Sequence, residues 1–122
     1  MLRHVKFANL PVRDQDRALA FWRDQVGLAV VTDEAYGEGF RWIELSLGEA
    51  ETRIVFTRRA DDLPSDQPDL ILICDDVDDS FAELGARGVV FTQDPQDAPW
   101  RPGERYALFR DSEGNLVMLG NG

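Results

Sequence analysis

The sequence predicts an α+β fold: two βαβββ modules whose curled mixed sheets surround a cleft. Three observations predict it. The order strand, helix, three strands occurs twice along the 122 residues. The segments Val12–Trp22 (VRDQDRALAFW) and Cys74–Leu84 (CDDVDDSFAEL) match in residue type at an offset of 62. A repeat of this length marks a duplicated half-domain and not a solenoid unit. The composition, 43% apolar and 30% charged, suits a single globular domain with its own core.

Taken in order, Val5–Val12 reads as a strand, apolar and β-rich up to Pro11–Val12. Asp14–Val26 reads as a helix. Asp14 or Asp16 caps its start, Ala18, Leu19, Trp22 and Val26 share one face, and Gly27 suits the left-handed position after its end. Three strands follow, Leu28–Thr32, Phe40–Leu47 and Thr52–Arg58, separated by Tyr36–Gly39 and by a turn at Gly48–Ala50. The stretch Ala60–Pro68, rich in aspartate and proline, reads as a linker between module 1 (residues 1–59) and module 2 (residues 69–122) of one domain spanning 1–122. The order then restarts. Asp69–Cys74 is a strand. Val77–Arg87 is a helix with Val77, Phe81 and Leu84 on one face and Gly88 after it. Val89–Thr92, Tyr106–Arg110 and Leu116–Leu119 are strands.

Counting residues excludes several chemistries. One cysteine, Cys74, rules out an internal disulfide, and with one histidine, His4, it rules out a Cys/His zinc cluster. A serine or cysteine nucleophile would have only His4 as its base, three residues from the start. G-x-S-x-G, P-loop and G-x-G-x-x-G strings are absent. Thirteen basic against 23 acidic residues give a net charge of −10, which repels nucleic acid and anionic membranes. At most it biases the protein toward cationic ligands. The start, MLRHVKFANLPVRD, lacks the apolar run of a signal peptide, and runs such as Leu70–Cys74 are too short to span a bilayer. Cytoplasmic residence is the expectation, and a lone thiol agrees with it.

Three segments carry a family resemblance: Pro11–Leu28 (PVRDQDRALAFWRDQVGL), Asp75–Phe91 (DDVDDSFAELGARGVVF) and Phe109–Leu119 (FRDSEGNLVML). The first is similar to a D-x3-A-x2-FY-x4-LG helix, with Trp22 where tyrosine is common. The last is similar to a D-P-x-G-N hairpin, with Ser112 in place of the proline. In this order and spacing they resemble the vicinal oxygen chelate superfamily of glyoxalase I, bleomycin-resistance proteins and extradiol dioxygenases. The resemblance implies a glyoxalase-like fold and, in many members, a divalent metal held in the cleft by four strand residues. Carried onto this chain, those positions are Phe7, Val55 (or, with a slip of one residue, Phe56), Asp69 and Met118. Of these, Asp69 is the one good ligand for a hard or borderline cation, and at least three are needed. His4 falls on the opposite strand face from Phe7 and is expected to be an N-terminal surface residue. The expectation is no metal and no cofactor.

Alternation sorts the middle strands. Ile43, Leu45 and Leu47 form an apolar face, broken by Arg41, suited to packing on a helix. Phe40, Trp42, Glu44 and Ser46 form a mixed face suited to a ligand, or Trp42 is core and Glu44 pairs with Arg53 at the surface. On the next strand Ile54 and Phe56 face the helix, and Arg53, Val55 and Thr57 face the other way, which favours Val55 over Phe56. A pocket is therefore expected with Trp42, Glu44, Arg53 and Asp69 converging over a floor of Phe7, Val55 and Met118. A buried Asp69 there would be paired with Arg53 or protonated. Trp100, between Pro99 and Pro102, either closes over a ligand or anchors its loop. The aspartates at 75, 76, 78 and 79 are expected as helix-start caps, not as a calcium site.

The resemblance leaves two functions open. One is a metal-free member that binds a small organic molecule, as bleomycin-resistance proteins do, with ligand contacts from Phe7, Trp42, Glu44, Arg53, Val55, Asp69, Trp100 and Met118 and no catalytic residue. The other is a lyase, isomerase or dioxygenase using a displaced metal or a carboxylate base, Asp69 or Glu44. Small members of the superfamily usually pair, so a homodimer is expected.

Overall fold

The computed structural model of the chain describes residues 1–60 and 64–122. Its strands form two four-stranded sheets of identical topology. The first contains β1 (Phe7–Val12), β2 (Ala29–Ala35), β3 (Arg41–Ser46) and β4 (Arg53–Arg58), in the order β1-β4-β3-β2. The second contains β5 (Leu70–Ile73), β6 (Phe91–Asp97), β7 (Arg105–Arg110) and β8 (Leu116–Gly120), in the order β5-β8-β7-β6. In each, the first strand runs parallel to the last and the other neighbours are antiparallel. These sheets belong to two compact units, Met1–Asp62 and Leu63–Gly122. Among the described residues no helix is long and apolar enough to cross a membrane.

In the first unit the chain enters helix α1 (Gln15–Leu19) through Asp14, whose side chain accepts a hydrogen bond from the Arg17 amide (3.0 Å). The helix then widens into a π-helical segment, Ala20–Val26, where sequence spacing predicts continuous α-helix. Gly27, at φ 98°, ends it in the left-handed conformation that glycine adopts without a Cβ penalty. Ala18, Leu19, Phe21 and Trp22 are buried, as are Leu10, Val12, Ile43, Leu45, Ile54 and Phe56 on one face of the sheet. Each such side chain contributes roughly 1.5–3 kcal/mol by leaving water. Gln15 ties the helix start to β3: its amide nitrogen donates to the Arg41 carbonyl (2.6 Å), and its amide oxygen accepts from the Arg41 N–H (2.8 Å).

The second unit repeats the plan. Asp76 caps α2 (Val77–Ala86) by accepting from the Asp79 amide (2.9 Å). Edge-to-face contacts link Phe81 to Phe91 (4.7 Å between centroids) and Phe91 to Phe109 (5.3 Å). Asp78 pairs with Arg105 (2.8 Å), so the aspartates at this helix start have structural work within reach. The tail of the expected linker belongs to this unit: Arg110 donates to the Ser65 carbonyl (3.2 Å), and Asp66 lies 3.5 Å from it. Residues 61–63 of that linker lie outside the described residues.

Boundaries shift by more than one residue at three strands. β1 begins at Phe7 and not Val5, which is exposed. β2 continues to Ala35 past a register shift between Val30 and Thr32. β6 runs Phe91–Asp97 instead of Val89–Thr92, with Pro95 inside it. It is an edge strand with two register shifts, a setting that tolerates a missing amide donor.

Candidate functional site

Register places the residues of the first unit's other sheet face. Phe7 on β1 lies beside Arg53 on β4, and Val55 lies beside both Asn9 and Glu44. Side chains alternate along each strand, so Phe7, Arg53, Val55, Glu44 and Trp42 stand on one side, opposite Ile43, Leu45, Ile54 and Phe56.

Four of them form one contact network. The Phe7 and Trp42 rings meet edge to face, 5.6 Å between centroids at 74°. The Trp42 indole N–H donates to Glu44 Oε2 (2.7 Å), and Arg53 Nη1 donates to Glu44 Oε1 (3.1 Å). Tyr36 adds a tilted contact to Trp42 at 5.8 Å. Glu44 is largely covered, with 15% of its side chain exposed, while Arg53 keeps 43% exposed. The Trp42 hydrogen bond outweighs desolvation and, with the weaker help of the Arg53 hydrogen bond and the charges of Arg53 and Lys6, holds the Glu44 carboxyl below the usual carboxylate range. Trp42 therefore faces away from the helix, and its indole orients an ionised carboxylate.

Phe7, Glu44 and Arg53 line an open groove of about 590 Å³ together with Arg3, His4, Lys6 and Glu51. Lys6 Nζ sits 5.2 Å from the Phe7 ring centroid, and His4 Nδ1 lies 3.0 Å from a Glu51 carboxylate oxygen. His4 is exposed at the surface but shares this groove with Phe7, so the opposite-face expectation from strand parity does not hold: His4 precedes β1. The contribution of Arg3 and Lys6 is absent from the strand reading, because both precede β1 and alternation does not extend to them.

The second unit has an equivalent face. Met118 lies beside Ile71 and Leu108, as Val55 lies beside Asn9 and Glu44. Gln93 pairs across from Leu108 on this face, and its amide nitrogen is buried without a hydrogen-bond partner among the described residues. Sequence offers no signal for that burial. Trp100 is exposed in the loop after β6; its ring lies 4.7 Å from that of Tyr106, and its indole donates to Glu104 (2.8 Å).

Asp69 departs from expectation. It is exposed just before β5, where its amide donates to the Leu116 carbonyl (2.8 Å). The carboxylate that Arg53 engages is Glu44, not Asp69. Asp69 is therefore not the buried partner of Arg53 that the strand reading expects. Glu44 does not have the environment of a raised-pKa general base, since its contacts favour the ionised form.

The metal scheme implied by the motifs does not fit these residues. Phe7 and Val55 have hydrocarbon side chains, Met118 offers a weak thioether, and Asp69 is a single carboxylate. Among the described residues no group of three or more His, Cys, Asp or Glu side chains is placed to hold a metal ion.

The repeated βαβββ topology and its family motifs define a class. The chain belongs to the Glyoxalase/Bleomycin resistance protein/Dioxygenase superfamily, whose family model matches residues 2–119. It is 27% identical over 121 residues to the uncharacterized protein YetH of Bacillus subtilis (strain 168), covering 98% of each chain. Among solved structures it is similar to TnmS3, an antibiotic binding protein from Streptomyces sp. CB03234, at 32% identity over 98% of this chain and 96% of that one, with a TM-score of 0.83. It is also similar to a superfamily member from Sphaerobacter thermophilus, at 28% identity over 99% of this chain and 98% of that one, with a TM-score of 0.84.

Proposed function

We propose that the protein binds a small organic molecule on the sheet face carrying Phe7, Trp42, Glu44, Arg53 and Val55, without a bound metal. One observation carries this reading: Phe7 and Trp42 form an aromatic wall whose polar members, Glu44 and Arg53, are already fixed by hydrogen bonds beside an open groove. A preformed apolar wall with a few oriented polar groups is the usual make-up of a small-molecule site. The similarity to TnmS3, an antibiotic binding protein, supports binding over catalysis. So does the donor set at the metal positions, where two of four side chains have no donor atom. The face with Met118 and the loop with Trp100 are proposed as further ligand contacts, and the protein is proposed to act as a cytoplasmic homodimer.

The test is a thermal-shift screen against a panel of aromatic antibiotics. At least one compound is expected to raise the melting temperature, and Trp42→Ala is expected to abolish that shift while the variant stays folded by circular dichroism. Binding that survives both Trp42→Ala and Phe7→Ala places the ligand elsewhere. Turnover of a glutathione hemithioacetal that disappears with EDTA overturns the reading.

A further inference from the structure

The groove has the opposite charge to the molecule. The chain carries −10 overall, yet Arg3, Lys6 and Arg53 line this groove against two carboxylates, Glu44 and Glu51. Both carboxylates are occupied. Glu44 accepts from Trp42 and Arg53, and Glu51 faces His4. The cations are less engaged. Glu44 takes Nη1 of Arg53, and the other guanidinium donors make no hydrogen bond to a described residue. Arg3 and Lys6 form no ion pair among the described residues, and Lys6 rests its ammonium over the Phe7 ring.

Resting on the binding reading above, we propose that this groove selects an aromatic ligand that carries an anionic group. The ring lies against Phe7, and the anion is held by Arg53 and Lys6. Arg53 is preorganised for this, because Glu44 fixes its side chain while leaving donors of its planar fork for a carboxylate, sulfonate or phosphate oxygen. The positive groove on an acidic surface also steers such a ligand to this spot and away from the rest of the molecule. A cationic ligand, which the net charge alone favours, would meet three like charges here.

The probes are three molecules of one shape: 2-naphthoate (anionic), 2-naphthamide (neutral) and 2-naphthylmethylammonium (cationic). Each is titrated into the full chain by calorimetry, with the Trp42 indole N–H followed by NMR. Naphthoate is expected to bind at least about tenfold more tightly than the amide, as one charge-assisted bond implies, and the ammonium more weakly still. Added salt and Lys6→Gln are each expected to weaken naphthoate several-fold and to leave the amide unchanged; Arg3→Gln serves where Lys6→Gln fails to fold. If the amide or the ammonium binds as tightly as naphthoate, and all lose affinity in Trp42→Ala, the aromatic site stands and the anion preference is wrong. If no probe shifts the Trp42 signal, or binding ignores Trp42→Ala, the site itself is wrong and the anion preference falls with it.

Discussion

Glu44 accepts hydrogen bonds from Trp42 and Arg53, and both favour its ionised form. Its pKa in the folded protein is thus lower than in the unfolded chain. The resulting stability is present above the unfolded value, about 4.3, and is lost as pH falls through the lower folded value. Glu44→Gln is therefore expected to melt below the parent protein at neutral pH, with the gap closing below about pH 4. Melting curves from pH 3 to 8 would check this, and a gap independent of pH would remove the carboxylate argument. The same residue shows how far sequence reached into the site. Alternation puts Trp42 and Glu44 on one face of their strand and Arg53 and Val55 on one face of theirs, and leaves open whether Trp42 is core; the β3–β4 register brings the two faces together. The strand reading misplaced Asp69 for a definite reason. Parity fixes which side a residue faces, but burial depends on what packs beyond the strand, and Asp69 precedes β5 in an exposed stretch.

At the scale of elements, the hairpin between β7 and β8 explains a family motif by folding and not by function. Asp111 Oδ1 accepts from the amides of Glu113 (2.9 Å) and Asn115 (2.8 Å), and Oδ2 accepts from the Asn115 side chain (3.0 Å). Gly114, at φ 85°, supplies the left-handed residue the turn requires. Asp111 and Asn115 are both buried, so Asp111→Ala strips two buried amides of their acceptor. A loss of about 3 kcal/mol is expected, measured by urea unfolding; a loss under about 1 kcal/mol would mean water replaces the carboxylate. Serine in place of the usual proline at position 112 leaves these three bonds whole, since none of them uses the amide of that residue. Strand and helix existence was legible throughout, because apolar spacing encodes which face is buried. The π-helical Ala20–Val26 was not. Phe21 and Trp22 are adjacent yet both buried, and a wider turn separates neighbours by a smaller angle, so both reach the core. In sequence they satisfy α-helical spacing equally well. β6 was cut short for a similar reason: Pro95 reads as a strand breaker unless the strand is known to be an edge.

For the whole molecule, the donor set and the exposed surface give two expectations. Protein purified without chelator is expected to carry no stoichiometric divalent ion, because Phe7 and Val55 cannot ligate one and Asp69 alone does not retain it. Elemental analysis finding about one Ni, Zn, Fe or Mn per chain would overturn this. The second expectation concerns assembly. β5 is an edge strand of the second sheet, and its Ile71 and Ile73 are 56% and 62% exposed. Open strand edges recruit partners unless charge, proline or a bulge blocks them, and Leu70–Ile73 has none of these. A net charge of −10 opposes indiscriminate aggregation, so a closed, symmetric pair is the arrangement that buries this edge at limited electrostatic cost. Light scattering at micromolar concentration is expected to give a mass near two chains. Ile71→Glu with Ile73→Glu, which adds two like charges at the same edge in each partner, is expected to return it to one. A parent protein of one-chain mass refutes the dimer, and a dimer indifferent to both substitutions moves the interface away from β5.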